Sequence, residues 1–112
     1  MYNLVIADDN IQYVKKLANR ILKENHNIRL INIATDGLET YQFLNDGNID
    51  ILILDIEMPI YRGIELLNKV IDENKIILPD IILLSGYSDA IIEAKHFGIN
   101  VQLYLDKLLR NR

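Results

Sequence analysis

Short apolar runs alternate along the chain with stretches that carry apolar residues at helical spacing. The runs predict strands, and they cover residues 4–7, 28–33, 51–54, 81–84 and 101–105. The intervening stretches repeat apolar residues every three or four positions and predict helices over 10–22, 38–46, 63–72 and 90–97. In the second of these helices, Leu38, Tyr41 and Leu44 form the expected inward face.

This regular alternation of strand and helix predicts a doubly wound α/β fold. Strands joined through helices pair in parallel by right-handed crossovers, so helices cover both faces of the sheet. We expect five strands in the order 2-1-3-4-5 and one domain over residues 1–112, because 112 residues suit a single core.

Chemically reactive side chains follow the predicted strands at the point where each strand ends. They are Asp8 and Asp9 after the first strand, Asp55 after the third, Ser85 after the fourth and Lys107 after the fifth. In this strand order the first and third strands are neighbours, so the three carboxylates should converge in one crevice. Clustered carboxylates need a cation, and hard oxygen ligands with room for waters favour Mg²⁺. A metal, a hydroxyl and an ammonium group together suit the binding of a phosphoryl group.

Each of these residues also has an ordinary structural interpretation. Asp9 or Asn10 would serve as the N-cap of the first helix, and Asp55 would cap the turn that follows its strand. Ser85 would be a turn residue and Lys107 a surface lysine. The functional interpretation is preferred because all five groups occupy the same edge of one predicted sheet.

Composition narrows the range of functions. The net charge of −4 argues against nucleic-acid binding by this domain, since such binding depends on neutralising phosphates. No cysteine is present, the first residues lack the features of a signal peptide, and the apolar runs are too short to cross a membrane. We therefore expect a soluble cytoplasmic protein without a membrane partner.

The chain resembles the receiver domain of two-component response regulators over essentially its whole length. Asp8-Asp9 is similar to the acidic pair of that family, and Asp55-x-x-Met58-Pro59-x-x-x-Gly63 fits the motif around its phosphoacceptor. Ala34-x-Asp36-Gly37-x-Glu39 is similar to the family's entry into the second helix. Three further matches are individually weak, and they are Ser85-Gly86, Tyr104 and Lys107.

The resemblance implies a role for each matching residue. Asp55 would accept a phosphoryl group from a sensor histidine kinase or a phosphotransfer protein, with Mg²⁺ held by Asp8, Asp9, Asp55 and the backbone carbonyl of Glu57. Ser85 and Lys107 would bind the phosphoryl group, and Tyr104 would move with Ser85 as a switch. Glu57 and Tyr87 would tune dephosphorylation. The resemblance also implies an output domain and a phosphorylation-dependent homodimer as partners.

Two features depart from the family pattern. Leu108 stands where a proline with a cis bond usually follows the lysine, and residues 98–107 form a segment about two residues longer than usual. We expect the Lys107–Leu108 bond to be trans, because a cis bond without proline costs roughly 3–4 kcal/mol. The chain stops at Arg112, about a turn into the expected fifth helix, and we expect that the rest of that helix or an output domain is missing.

Two other functions compete with a phosphoacceptor domain that is not an enzyme in its own right. One is a small-molecule phosphatase or phosphotransferase with an aspartyl intermediate, for which Glu57 would be the second acid. No segment is long enough for the substrate cap that such an enzyme needs. The other is a receiver-like docking module that works without phosphorylation, which the intact carboxylates disfavour.

Overall fold

The protein forms a parallel sheet flanked by helices, and the expected fold class is confirmed. The structure, a computed structural model, describes residues 1–55, 65, 69, 78–85 and 103–106. In chain order its elements are β1 (Tyr2–Ala7), α1 (Ile11–Glu24), β2 (Ile28–Ala34), α2 (Gly37–Asp46), β3 (Ile51–Asp55), β4 (Asp80–Ser85) and β5 (Leu103–Asp106). Glu65 and Lys69 are helical, as the pattern over 63–72 predicts.

All neighbouring strands run parallel, in the order β2-β1-β3-β4-β5. This is the predicted order, with β1 and β3 side by side at the centre. Ala7 lies opposite Leu54, so the residues that follow them emerge at the same edge of the sheet. The carboxyl ends of parallel strands form the edge at which this kind of fold binds ligands.

The strand side chains alternate between two separate apolar layers. On one face Leu4, Ile6 and Ile53 pack with four residues of α1, which are Tyr13, Val14, Leu17 and Ala18. On the other face Val5, Ala7 and Leu52 belong to the cluster that contains Leu44 of α2. Successive strand residues point to opposite faces, so strands covered on both sides are apolar without a break. The unbroken run 51–54 is explained by this arrangement.

Each described helix begins at a polar capping residue. Asn10 Oδ1 accepts a hydrogen bond from Tyr13 N at 3.1 Å, and Asp36 Oδ1 accepts one from Glu39 N at 2.8 Å. These side chains satisfy amide groups that have no carbonyl partner within the first turn. Both caps lie at the carboxyl edge of the sheet, where the chain leaves β1 and β2.

The predicted inward face of α2 was wrong at one position. Leu38 is 43% exposed, and the buried residues of this helix are Gly37, Thr40 and Leu44. Tyr41 is half-buried against the same cluster as Leu44, so the predicted face holds at these two positions and Gly37 replaces Leu38 in the first turn. The small residues at 37 and 40 carry no strong hydrophobic signal, so the pattern assigned the face to the nearest leucine instead.

Strand boundaries differ from the prediction by one or two residues. β1 begins at Tyr2 rather than Leu4, and β4 runs from Asp80 through Ser85 rather than over 81–84. The described part of the fifth strand covers Leu103–Asp106, one residue beyond the predicted end at Leu105. The predicted fourth helix, over 90–97, and the expected fifth helix lie outside the described residues.

Candidate functional site

The carboxylate cluster forms where β1 and β3 end side by side. β3 ends at Asp55, and Asp8 directly follows the last residue of β1. Asp8, Asp9 and Asp55 each contribute a carboxylate oxygen, and these three oxygens lie within 4.8 Å of one another. The convergence expected from the strand order is therefore present in the structure.

Asp8 is fixed by both its backbone and its side chain. Its backbone N–H donates to Ala34 O at 2.9 Å, which ties it to the end of β2. Its Oδ1 accepts a hydrogen bond from the backbone N–H of Asn10 at 2.9 Å, and the residue is fully buried. The first bond fixes the backbone of Asp8, and the second fixes the direction of its carboxylate.

Asp9 contributes to the cluster rather than to the helix cap. The cap of α1 is Asn10, whose backbone is extended at φ −89° and ψ 92°. Of the two capping residues considered from the sequence, the structure thus selects Asn10. Asp9 is exposed, which leaves its carboxylate open to solvent and to an incoming group.

Asp55 is the buried carboxylate at the end of a central strand. It is 3% exposed and pairs in register with Leu84 of β4. A carboxylate this well buried lies among polar or charged partners, because isolated burial of a charge is costly. The two carboxylates of Asp8 and Asp9 have the same charge, so the cluster favours a bound cation.

The donor set fits Mg²⁺. Three carboxylate oxygens are hard ligands, and Mg²⁺ takes a small number of them together with waters. Adjacent ligands of one octahedral Mg²⁺ are about 3.0 Å apart and opposite ligands about 4.2 Å apart, so oxygens within 4.8 Å of one another would draw closer together when they bind the ion. The burial of two carboxylates and the exposure of the third also leave one side accessible.

The other sequence-predicted residues are described only in part. Ser85 is the last residue of β4, and its backbone pairs with Asp106 at the same edge of the sheet. Tyr104 lies within β5, opposite Leu83. Three further residues of the predicted site lie outside the described residues, and they are Glu57, Tyr87 and Lys107. The Lys107–Leu108 bond and residues 98–102 lie outside them as well.

The hydrogen bond from Asn10 to Asp8 was missed by sequence reasoning. Asn10 was considered as a helix cap, and its backbone was not considered as a support for the cluster. An aspartate that accepts from the amide two residues ahead is a common local turn. The spacing of Asp8 and Asn10 between a strand and a helix was a signal for it.

The start of α2 adjoins this edge and carries a further acidic pair. Glu39 Oε1 accepts hydrogen bonds from Thr35 Oγ1 at 2.6 Å and from Thr35 N at 2.9 Å. The hydroxyl first and then the backbone amide lower the pKa of Glu39 from its ordinary value, against a smaller opposing effect of burial. The resemblance at Asp36 and Glu39 thus corresponds to a helix start at which Asp36 Oδ1 accepts from Glu39 N and the Glu39 side chain accepts from Thr35.

A family model described as the response regulator receiver domain matches residues 4–112. The chain belongs to this family, whose members are signalling domains of two-component systems. The "Probable transcriptional regulator ycf29" of Porphyra purpurea is 29% identical over 106 residues, covering 95% of this chain and 49% of that protein.

A second relative is named for an enzymatic activity. The protein-glutamate methylesterase/protein-glutamine glutaminase of Clostridium acetobutylicum is 34% identical over 82 residues, covering 73% of this chain and 23% of that protein. The chain therefore spans about half the length of the first relative and less than a quarter of the length of the second.

Solved structures agree with the family. A chain from the crystal structure of the CheX-CheY-BeF3-Mg+2 complex of Borrelia burgdorferi is 27% identical, with a TM-score of 0.76 over 97% of this chain and 84% of that one. The receiver domain of the Francisella response regulator 1452 is 28% identical, with a TM-score of 0.79 over 96% of this chain and 85% of that one.

Proposed function

We propose that residues 1–112 form one receiver domain that accepts a phosphoryl group on Asp55. The observation that carries this proposal is the geometry of Asp55, a buried strand-end carboxylate whose oxygen lies within 4.8 Å of those of Asp8 and Asp9. Family membership supplies the reaction class, and the cluster supplies the residues for it.

In the proposed reaction an Asp55 oxygen attacks the phosphorus of a phosphohistidine on a kinase or phosphotransfer protein. The new P–O bond forms as the P–N bond breaks, and the imidazole leaves with the electron pair. Asp8, Asp9 and Asp55 would hold Mg²⁺ together with the carbonyl that the family implies at Glu57, and the buried position of Asp55 keeps its carboxylate oriented. When bound, Mg²⁺ neutralises charge on the phosphoryl oxygens.

The remaining residues act on the phosphorylated state. Ser85 and Lys107 bind phosphoryl oxygens, and Tyr104 moves with Ser85 to shift the surface that a partner contacts. Backbone placement supports this for Ser85, which ends the strand next to β3. The resulting shift between two states is read by an output domain or a separate partner, or by a second copy of the chain in a phosphorylation-dependent homodimer.

The cellular setting follows the same proposal. Among the helices within the described residues, none is long and apolar enough to cross a membrane. We place the domain in the cytoplasm, where a histidine kinase presents its phosphohistidine. The whole protein's pathway is set by whichever output the domain controls.

Two rival functions make different predictions. A small-molecule phosphatase with an aspartyl intermediate would turn over a phosphate ester many times, whereas the receiver stops at one phosphoryl group per chain. A docking module without phosphorylation would gain none. The clustered carboxylates favour the receiver and the phosphatase over the docking module.

The deciding experiment is exposure of the purified chain to acetyl phosphate or phosphoramidate with Mg²⁺, followed by intact mass measurement. One added phosphoryl group is expected for the wild type and for Asp46→Asn, an exposed acid at the end of α2. Asp55→Asn and removal of Mg²⁺ with a chelator should each abolish the addition. A full signal in Asp55→Asn would show that another residue is the acceptor.

A further inference from the structure

A second recess lies at the opposite edge of the sheet, where the strands begin. It is a cleft of about 470 Å³ between the starts of β1, β3 and β4. Its lining residues are Tyr2, Ile49, Asp50, Ile51, Leu78, Pro79 and Asp80. At about 30 Å³ per water this volume corresponds to roughly fifteen waters, which is enough for a long side chain and part of its backbone. Asp50 and Asp55 are five residues apart, or roughly 17 Å along β3.

The floor of the cleft is held by backbone hydrogen bonds. Asp50 N donates to Asn3 O at 2.9 Å, and Asp80 N donates to Asp50 O at 3.0 Å. Asp50 Oδ2 also accepts from Asn3 N at 2.7 Å. These bonds join residues at or next to the starts of three strands, so the recess is already formed before any partner binds.

The charged residues of the cleft that the structure describes are both acidic. Asp50 and Asp80 are exposed, and the lining residues within 1–55 and 78–85 include no lysine or arginine. Arg29 is connected to the same region, but its guanidinium donates to Asn3 Oδ1 at 3.0 Å from Nη2. Within the described part of the chain, Asp50 and Asp80 are therefore the charged residues that line the recess, and Oδ2 of Asp50 accepts a hydrogen bond from Asn3 N.

The remaining walls are aromatic and aliphatic. Tyr2 is 54% exposed although its backbone is fixed by a bond from its N–H to Asn27 O at 2.7 Å. Ile49, Leu78 and Pro79 are half-buried and give apolar surface on the other sides. An exposed tyrosine ring beside two carboxylates is a suitable surface for a cation.

We propose that this cleft binds an arginine side chain presented by a segment of a protein partner. The guanidinium group pairs with Asp80 and with the outer face of Asp50, and its plane lies on the ring of Tyr2. The aliphatic stem of the arginine and an apolar neighbour pack on Ile49, Leu78 and Pro79. This site lies at the other end of the sheet from Asp55, so its occupancy and phosphorylation are separate properties of the domain.

The test is an amide NMR titration of the isotope-labelled chain with the blocked tripeptide acetyl-Leu-Arg-Leu-amide. The control peptide carries citrulline, which has nearly the shape of arginine and no charge. We expect saturable shifts at the amides of Tyr2, Asp50, Ile51 and Asp80, with binding about tenfold weaker for the citrulline peptide. Equal binding of both peptides, or no saturable shift at these amides, would overturn the proposal.

Variants separate the cleft from general charge effects. Asp80→Asn should weaken binding of the arginine peptide about twofold to fivefold, whereas Glu24→Gln changes the net charge equally at an exposed residue of α1 and should not. Tyr2→Ala should weaken binding and Tyr2→Phe should retain it, because the ring face is what contacts the guanidinium. Unchanged binding in Asp80→Asn, or an equal loss in Glu24→Gln, contradicts a specific site.

Discussion

The backbone N–H of Asn10 donates to Oδ1 of Asp8 at 2.9 Å, while the side chain of the same Asn10 accepts from Tyr13 N at 3.1 Å. One residue therefore orients a buried carboxylate of the cluster and starts α1. The side-chain bond depends on the identity of residue 10, whereas the backbone bond is available to any residue except proline.

Asn10→Ala should destabilise the protein while leaving Asp8 supported. Loss of the cap is expected to lower the free energy of unfolding by about 1 kcal/mol. Asn10→Ser supplies another capping oxygen and should recover most of that loss. Urea unfolding in the presence of a chelator measures both variants, and equal stability of Asn10→Ala and the wild type would show that the cap contributes nothing.

Asp9→Asn should affect metal binding and stability in opposite directions. Removing one of three clustered carboxylates lowers their repulsion, so the metal-free protein should gain up to about 1 kcal/mol of stability. The same change removes a hard ligand and should weaken Mg²⁺ binding. Unfolding midpoints with a chelator and with added Mg²⁺ report both effects, since a ligand that binds only the folded state raises the midpoint.

Asp46→Asn is the matched control for Asp9→Asn, because Asp46 is an exposed acid outside the cluster. It should leave the Mg²⁺-dependent rise in midpoint unchanged. If Asp9→Asn also leaves that rise unchanged, Asp9 is not a ligand and the metal site must be built from other groups.

The sequence was sufficient to predict the strand order and both apolar layers. Strand residues such as Leu52 and Ile53 point to opposite faces and are both buried, so an unbroken apolar run is a strong signal. The face of α2 was harder to predict because Gly37 and Thr40 occupy inward positions. Burial there follows from small size and close packing, which hydrophobic periodicity does not report.

The part of the candidate site that could be predicted is the set of carboxylates at the ends of the strands. Asp8 and Asp55 follow neighbouring strands, so their convergence followed from topology. The sequence could not decide which of Asp9 and Asn10 caps the helix and which joins the carboxylate cluster. Adjacent polar residues at a strand-to-helix turn are equivalent until backbone angles are known. Asn10 is the cap because its ψ of 92° lies outside the helical region and its side chain accepts from Tyr13 N.

Glu39→Gln should make stability less dependent on pH in the acidic range. Hydrogen bonds from Thr35 lower the pKa of Glu39 in the folded state below its ordinary value of 4.5. The carboxylate therefore contributes stability that is fully present above pH 4.5 and is lost as pH falls through the lower folded pKa. At neutral pH the variant should lose about 0.5–1 kcal/mol.

Unfolding measured from pH 7 down to pH 3 checks this sign. The difference between wild type and Glu39→Gln should shrink as pH falls. Thr35→Val is the partner control, because it removes the hydroxyl donor to Glu39 and retains the backbone donor. A difference that grows on acidification would mean that Glu39 is destabilising when charged.

Gly47→Ala should destabilise the turn between α2 and β3 through the backbone alone. Gly47 has φ 77° and ψ −167°, a region that side-chain-bearing residues rarely adopt. A Cβ at this position would meet nothing within 4 Å, so no clash contributes. We expect a loss of about 1–3 kcal/mol in urea unfolding. Asn48→Gly, at the neighbouring φ of 70°, should be tolerated because glycine adopts that angle freely.

The lifetime of the aspartyl phosphate is the property for which the sequence gives two competing candidates. Hydrolysis needs a water in line with the phosphorus and opposite the Asp55 oxygen. Glu57 and Tyr87, both outside the described residues, stand two positions after Asp55 and Ser85 in the sequence. A tyrosine ring over the line of approach would exclude the water, while a carboxylate there would repel the phosphoryl group or orient the water.

We expect shielding by Tyr87 to dominate and the phosphorylated state to be long-lived. A carboxylate beside a dianionic phosphoryl group is electrostatically disfavoured, so Glu57 should turn toward solvent. The measurement is the decay of phosphorylated protein after the donor is removed, compared for wild type, Tyr87→Ala and Glu57→Ala. Faster decay in Tyr87→Ala is the expected result, because the variant admits water. An unchanged rate in that variant together with slower decay in Glu57→Ala would assign the control of hydrolysis to the carboxylate, which would then be the group that orients the attacking water.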